Sequence, residues 1–300
     1  MKKTLLIVGC GDVAVRTAPL LLKRYRVLGL YRNLNSLDHL RSLGIIPIYG
    51  DLDYPESLQR LAGIAQFVVH LAPPPNLDLQ DDRTKHLLSA LSRPAKNYRA
   101  ILPQRLIYIS TSGVYGNCNG AYIDETYPVH PQTDRAIRRI DAEKQIRNWG
   151  KRNNVSVSIL RVPGIYAENR LPLVRLQERR PVLLASEDGY TNHIHSDDLA
   201  QIIRAALLHG RTCRIYHSND DSHLKMGDYF DLVATHFDLP LPPRISFQEA
   251  QERIPPNMFS FMRESRRLNN ARIKKELHIR LLYPTVTDGI QAAKFQINKT

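Results

Sequence analysis

The sequence predicts an α/β fold: a doubly wound parallel sheet with a smaller, irregular C-terminal lobe. Three observations predict it. From residue 4 to residue 160, short apolar runs alternate with helix-length stretches at the spacing that βαβ crossovers need. The first apolar run, Leu5 to Val8, breaks directly into a glycine turn, Gly9-Cys10-Gly11, followed by a helical pattern to Arg24. After Arg161 the alternation fades and prolines gather, at 163, 172 and 181 and again at 240, 242, 243, 255 and 256. Residues 1–165 are therefore assigned to the sheet domain. Residues 166–300 form the lobe, with some segments returning to the sheet.

The elements follow in order. Residues 5–8 are apolar without interruption, as a strand buried on both faces must be. A second strand spans 26–31, and the helical stretch after it ends at Leu43 with Gly44 as its cap. A third strand, 45–49, runs into Gly50-Asp51-Leu52-Asp53, and residues 55–61 form a short helix. A fourth strand, 66–71, is stopped by Ala72-Pro73-Pro74-Pro75. A long helix over 81–98 precedes a fifth strand, 105–110. A second long helix, 132–152, is opened by Pro131 and closed by Gly150, and a sixth strand covers 155–160. In the lobe we expect strands at 193–195 and 213–217. Helices are expected at 196–209, 226–237, 247–253, 269–277 and 288–294.

The glycine turn carries the first functional signal. Gly9 permits a tight turn, Gly11 lets backbone approach a pyrophosphate, and Ala14 is small enough for the helix to lie against the strand. The backbone of Gly9, Cys10, Gly11, Asp12 and Val13, at a helix N-terminus, suits the phosphate charge. This predicts an NAD(P)-binding Rossmann fold. Arg32 follows the second strand, where an acid would bond a ribose 2′-hydroxyl and an arginine accepts a 2′-phosphate, so NADP is expected over NAD. Asp51 can accept from the adenine amine or cap the short helix after it, and Leu52 can lie against the ring.

The bulk properties agree with a globular enzyme. The 300 residues are 43% hydrophobic, enough for a full core, and no apolar run approaches a membrane span. The basic start, Met1-Lys2-Lys3, leads into a short strand rather than a cleavable leader, which reads as a cytoplasmic protein. Cys10, Cys118 and Cys213 have no metal-like spacing, so neither a metal site nor disulfides are expected. The net charge of +13 suits an acidic small-molecule substrate or nucleic acid, and a solvated surface accounts for it as well. The basic residues are not interleaved with aromatics and no nucleic-acid motif occurs, so nucleic acid is not expected.

Several spaced motifs, in order, carry a resemblance over nearly the whole chain. Ile109-Ser110-Thr111-Ser112-Gly113-Val114-Tyr115-Gly116 resembles S-[ST]-x-x-V-Y-G. Asp124-Glu125-Thr126 with Pro128 resembles an acidic loop. Ala142-Glu143 matches the end of a catalytic helix. Leu160-Arg161-Val162-Pro163-Gly164-Ile165-Tyr166 and His195-Ser196-Asp197-Asp198-Leu199-Ala200 resemble two further segments. The family is the extended short-chain dehydrogenase/reductase superfamily, NAD-dependent epimerase/dehydratase group. The G-x-G-x-x-A turn points to an atypical subgroup resembling nucleoside-diphosphate-sugar epimerases. The resemblance implies a nicotinamide cofactor running past Ala72 and Pro73, with Pro163 on the nicotinamide side. It also implies a small-molecule substrate such as a nucleotide sugar.

One departure is chemical. The family's Y-x-x-x-K falls, counting back from Glu143, on Arg135 and Arg139. Arg139 can still hold ribose hydroxyls, but Arg135 cannot serve as a base near neutral pH. Thr111, at the family's Ser/Thr position, can polarise a carbonyl or close the strand end. Tyr115 reads as a packing residue. Tyr122, Tyr127, His193 and His195 are the other candidates for proton transfer, and Asp197 reads as a helix N-cap. Two functions remain open on these residues. One is an NADP-preferring oxidoreductase or epimerase with a non-standard proton relay. The other is a dinucleotide-binding sensor, or a partner or nucleic-acid-binding protein, without full activity. A homodimer through helices 81–98 and 132–152 is a family habit. Here Arg135, Arg138, Arg139, Lys144 and Arg147 oppose it unless acids such as Asp81, Asp82, Asp134, Asp141 and Glu143 face them.

Overall fold

A computed structural model of the chain describes residues 2–94 and 100–297. Its centre is a seven-stranded sheet of β1 (Lys3–Val8), β2 (Tyr25–Tyr31), β3 (Ile46–Tyr49), β4 (Phe67–His70), β5 (Arg105–Thr111), β6 (Ser156–Val162) and β7 (Arg214–His217). The order is β7-β6-β5-β4-β1-β2-β3, and every pairing is parallel. The order reverses between β1 and β4, which opens a crevice at the carboxyl ends of the strands.

Burial on both faces explains the unbroken apolar run of β1. Leu5 and Ile7 join a core with Ala14 and Ala18 of α1 (Asp12–Leu22). Leu6 and Val8 point the other way, into a core with Leu87 and Leu91 of α3 (Asp82–Leu91; α2 is Leu37–Ser42) and Ala142 and Ile146 of α4 (Asp134–Asn153). α3 starts on Asp81, whose Oδ1 accepts from the Thr84 N–H at 3.0 Å. It ends at Leu91, earlier than expected, and residues 95–98 of the expected helix lie outside the described residues. α4 starts on Thr133, whose Oγ1 accepts from the Ala136 N–H at 3.3 Å, so Pro131 lies ahead of the helix rather than opening it. Gly150 does not close α4. The helix runs through it to Asn153, and Asn154 ends it in the left-handed region at φ 54°. A Cβ on Gly150 would stand 2.6 Å from Val157 Cγ1, so this glycine is there to let α4 touch β6.

The lobe is irregular, as expected, with differences. Residues 214–217 form the seventh strand of the main sheet, and α6 (Ser196–His209; α5 is Leu173–Gln177) packs in the same core as α1. The expected strand His193–His195 exists but pairs with Gly164–Tyr166 in a separate two-stranded sheet. Residues 55–61 form a 3-10 helix, and a helix at Pro256–Met262 was not foreseen among its prolines. The lobe has its own core, built on Tyr166, Leu176, Val233, Val286 and Ile290, together with Tyr229 of α7 (Met226–His236).

Just beyond β7, where sheet meets lobe, lies Asp220. Its Oδ1 accepts from the Ser222 N–H at 2.9 Å, and its Oδ2 has no partner. Burial pushes this carboxyl from 3.8 up to about 8. The native state therefore holds a proton that the unfolded chain releases above pH ~4. The stabilisation is complete below that pH and is lost as pH climbs through 8. Asp220→Asn should melt higher than the parent at pH 8, with the gap closing toward pH 4. A gap of constant size across that range in thermal melts would contradict this reading.

Candidate functional site

The crevice at the carboxyl ends of β1, β2 and β3 holds a cavity of about 220 Å³, bounded by Gly9, Cys10, Arg32, Asp51, Leu52 and Ala72 among others. Gly9 sits at φ +95°, and a Cβ there would lie 2.6 Å from the Ala72 nitrogen. Only glycine fits this turn, which packs directly on the chain leaving β4. At Gly11 a Cβ would meet nothing within 4 Å, so the space above it is open. Gly11 caps α1 without a side-chain acceptor, leaving the first-turn N–H groups, Val13 included, for an anion. Asp12, beside this spot, is held by Arg16 at 3.4 Å and Arg170 at 3.3 Å. The residues fit a dinucleotide pyrophosphate. Burial pushes the Cys10 thiol up to about 12, so it serves as a small packing group beside Gly29 and not as a nucleophile.

At the end of this cavity expected to take adenosine, Asp51 Oδ1 accepts from the Asp53 N–H at 3.0 Å. The N-cap of the 3-10 helix is Tyr54, so Asp51 closes the turn ahead of that helix instead of capping it. Leu52 and Pro73 form part of the apolar wall. Arg32 is 61% exposed and lies 3.5 Å from Asp53. A second arginine, which sequence reasoning missed, stands opposite. Arg83 grips both oxygens of Asp53 at 2.6 Å and lines the same cavity. Those bonds hold Asp53 below the usual carboxylate range. Its place in the first turn of α3, on the same sheet edge as Arg32, is the signal that could have revealed it.

A second cavity, of about 280 Å³, lies where β5 meets the lobe, and Thr111, Arg135, Pro163, Asn192, Glu264 and Arg266 line it. Thr111 Oγ1 accepts from the Gly113 N–H at 3.2 Å, which leaves its own proton to give. Arg135 lies over the Phe261 ring, 3.5 Å from its centroid, and burial pulls its pKa down. Arg139 reaches the end of β5, donating to Ile109 O at 2.8 Å and Tyr108 Oη at 3.0 Å. Glu264, Arg266 and Phe261 come from the tail, in no motif. Arg266 Nη1 binds Glu264 Oε2 at 2.8 Å and Gly116 O at 2.9 Å.

The remaining motif residues are structural. Glu143 of α4 and Arg161 of β6 form two bonds, at 3.0 and 2.8 Å, in the interior. Burial pushes Glu143 up, yet these bonds outweigh it and keep the carboxyl below its ordinary value. Tyr115 bonds Arg161 at 2.7 Å and His217 at 2.5 Å, and burial raises its pKa to about 12. His193 stacks on Tyr229 at 4.2 Å, and burial lowers it to about 4. His195, not Asp197, caps α6: its Nδ1 accepts from the Asp197 N–H at 3.2 Å, and the Asp197 carboxylate goes to Arg16. Tyr122 and Tyr127 are exposed and line neither cavity. Among the described residues no helix is long and apolar enough to cross a membrane.

The two glycines of the turn give separable tests. Gly11→Ala should melt within ~1 kcal/mol of the parent, because its methyl enters open space. It should bind NAD and NADP at least tenfold more weakly in calorimetry, because the added methyl would enter the space a pyrophosphate needs. Gly9→Ala should lose stability itself. Full dinucleotide affinity in Gly11→Ala would move the pyrophosphate elsewhere.

Comparison with known proteins agrees with this geometry. No curated protein sequence matches the chain. Among solved structures, a functionally unknown conserved protein from Silicibacter pomeroyi is 27% identical, with a TM-score of 0.81 and 99% of each chain covered. A putative NAD-dependent epimerase/dehydratase from Methylobacillus flagellatus is 24% identical, with a TM-score of 0.75, covering 99% of this chain and 100% of that one. UDP-glucose 4-epimerase from Thermotoga maritima, solved with UDP-glucose, is 17% identical at a TM-score of 0.78, with 99% of each chain covered. These last two share the fold. Residues 11–217 match the sequence profile of the NAD dependent epimerase/dehydratase family, from the last glycine of the turn through β7, and the chain belongs to that family.

Proposed function

We propose that this chain is an NADP-preferring oxidoreductase of the epimerase/dehydratase type. It acts on a hydroxyl- or carbonyl-bearing small molecule such as a nucleotide-linked sugar. The observation that carries the cofactor preference is the pair of arginines, Arg32 and Arg83, set around Asp53 at the adenosine cavity. A guanidinium fork matches a phosphate's oxygens, and an exposed Arg32 can turn onto one without breaking a buried bond. The nucleotide-sugar reading draws on the bound UDP-glucose of the epimerase neighbour and on the cavity between sheet edge and lobe.

When bound, the nicotinamide supplies the hydride acceptor or donor. The chain's own residues do the rest. The backbone from Gly9 to Val13 holds the pyrophosphate. Asp51 and Leu52 take the adenine, while Ala72 and Pro73 border the ribose path and Pro163 borders the nicotinamide side. Thr111 donates a hydrogen bond to the substrate oxygen and so stabilises negative charge there. Arg139 fixes the end of β5 from the lysine position and is the group nearest in sequence logic to the ribose hydroxyls. Arg135 holds positive charge where the family has its tyrosine, so it can pair with an anionic group but takes no proton.

NADP should bind the parent at least tenfold more tightly than NAD. Arg32→Asp should reverse that preference, and Arg83→Ala should weaken NADP more than NAD. Calorimetry with both dinucleotides checks this, and equal affinities in the parent would remove the argument from the arginine pair. Separately, Thr111→Val should leave NADP affinity within about twofold while abolishing NADPH turnover on any carbonyl substrate the parent accepts. Unchanged turnover would take the hydroxyl out of the reaction.

A further inference from the structure

The cavity at the end of β5 contains an unmatched cation. Arg135 is half-buried against the Phe261 ring and makes no hydrogen bond or ion pair with any described residue. Its guanidinium atoms are still reachable from the cavity, unlike the sealed, unpartnered Nε of Arg266. Glu264 is close enough to act on Arg135 through charge, yet no contact within 4 Å joins them: Glu264 Oε2 is held by Arg266, and its Oε1 is buried without a hydrogen-bond partner. The charges lining the cavity are thus Arg135, Arg266 and Glu264, a balance of one positive charge. A desolvated guanidinium lacking an acceptor is costly, and a planar fork pinned on an aromatic ring has little freedom left to lose on binding.

We infer that the substrate carries a carboxylate beside its reacting carbon, and that Arg135 receives it. This rests on the substrate cavity assigned above and specifies its chemistry. One carboxylate neutralises the cavity, whereas a phosphate dianion would leave it negative. Asn192 and Thr111 line the same space and offer hydrogen bonds to hydroxyls next to that carboxylate. A cavity of about 280 Å³ sits near the lower end of small-ligand sites, roughly 300 Å³, and suits a sugar-acid-sized group. The substitution that removed the family's tyrosine would then have exchanged a proton donor for an anion clamp.

D-glucuronate and D-glucose are the probes, differing at one carbon, titrated by ligand-observed NMR into NADP-loaded protein. The parent should prefer glucuronate by at least tenfold. Arg135→Gln should lose that preference and keep its weak glucose binding, and Arg135→Lys should restore part of it. Melting curves of each variant establish that it is folded. Glucuronate binding no tighter than glucose, no binding of either sugar, or a preference that survives Arg135→Gln would each overturn the inference. UDP-glucuronate and UDP-glucose, titrated in parallel, separate the two readings. A carboxylate preference with no gain from UDP keeps the clamp and removes the nucleotide-sugar substrate, and UDP-sugar binding without carboxylate preference does the reverse.

Discussion

The buried pair between Glu143 and Arg161 is the contact on which the site's geometry depends. Two charge-assisted bonds join α4 to β6 inside the protein, and Arg161 extends the link to Tyr115 and on to His217 of β7. β6, β7, the turn after β5 and the helix over them are thereby tied together. α4 is also the element that carries Arg135 and Arg139, so their position at the end of β5 is inherited from a contact one and two turns further along. Leaving either charge alone in the interior would cost on the order of 3–5 kcal/mol, which makes the pair an all-or-nothing feature. It fixes geometry more than it adds stability, since a well-packed apolar pair could replace it at little net cost.

The same pair shows why parts of this molecule were legible in the sequence. Ala142-Glu143 and the Leu160-Arg161 segment stand out as motifs, and the structure joins them to each other. The glycine turn was legible for a related reason. A positive φ and a 2.6 Å approach leave one residue type at Gly9, so the constraint is written in a single letter. Strand periods were legible because β1 feeds two cores and must be apolar throughout.

What escaped the sequence depends on distance along the chain. Glu264, Arg266 and Phe261 reach the cavity from the tail, about 150 residues from Thr111, and no local pattern marks them. Arg83 is an ordinary helix arginine until Asp53 is placed opposite. Gly150 misled because a glycine near a helix end usually stops it, while here close packing on Val157 demands it. Some of the arginine in a chain of net charge +13 also proves to be internal. Arg16, Arg161 and Arg266 are each bound to carboxylates inside the fold or at the seam with the lobe. The high charge is partly framework, and the cavity cation Arg135 stands out because it lacks such a partner.

The strand order has a consequence for how the protein is made. β1 lies in the middle of the sheet, β2 and β3 extend it on one side, and β4 to β7 extend it on the other in the order they are synthesised. Each new strand meets an edge that already exists, and none has to be inserted between two neighbours. A chain emerging from the ribosome can therefore add strands one at a time, N-terminal part first. The crevice at the ends of β1 to β4, with Arg83 of α3, can close within the first 83 residues, long before the tail supplies Phe261 and Glu264 to the second cavity. On the proposed assignment the cofactor's groove is built early and the substrate's last, so a nascent chain would meet its dinucleotide before it has anything to react with.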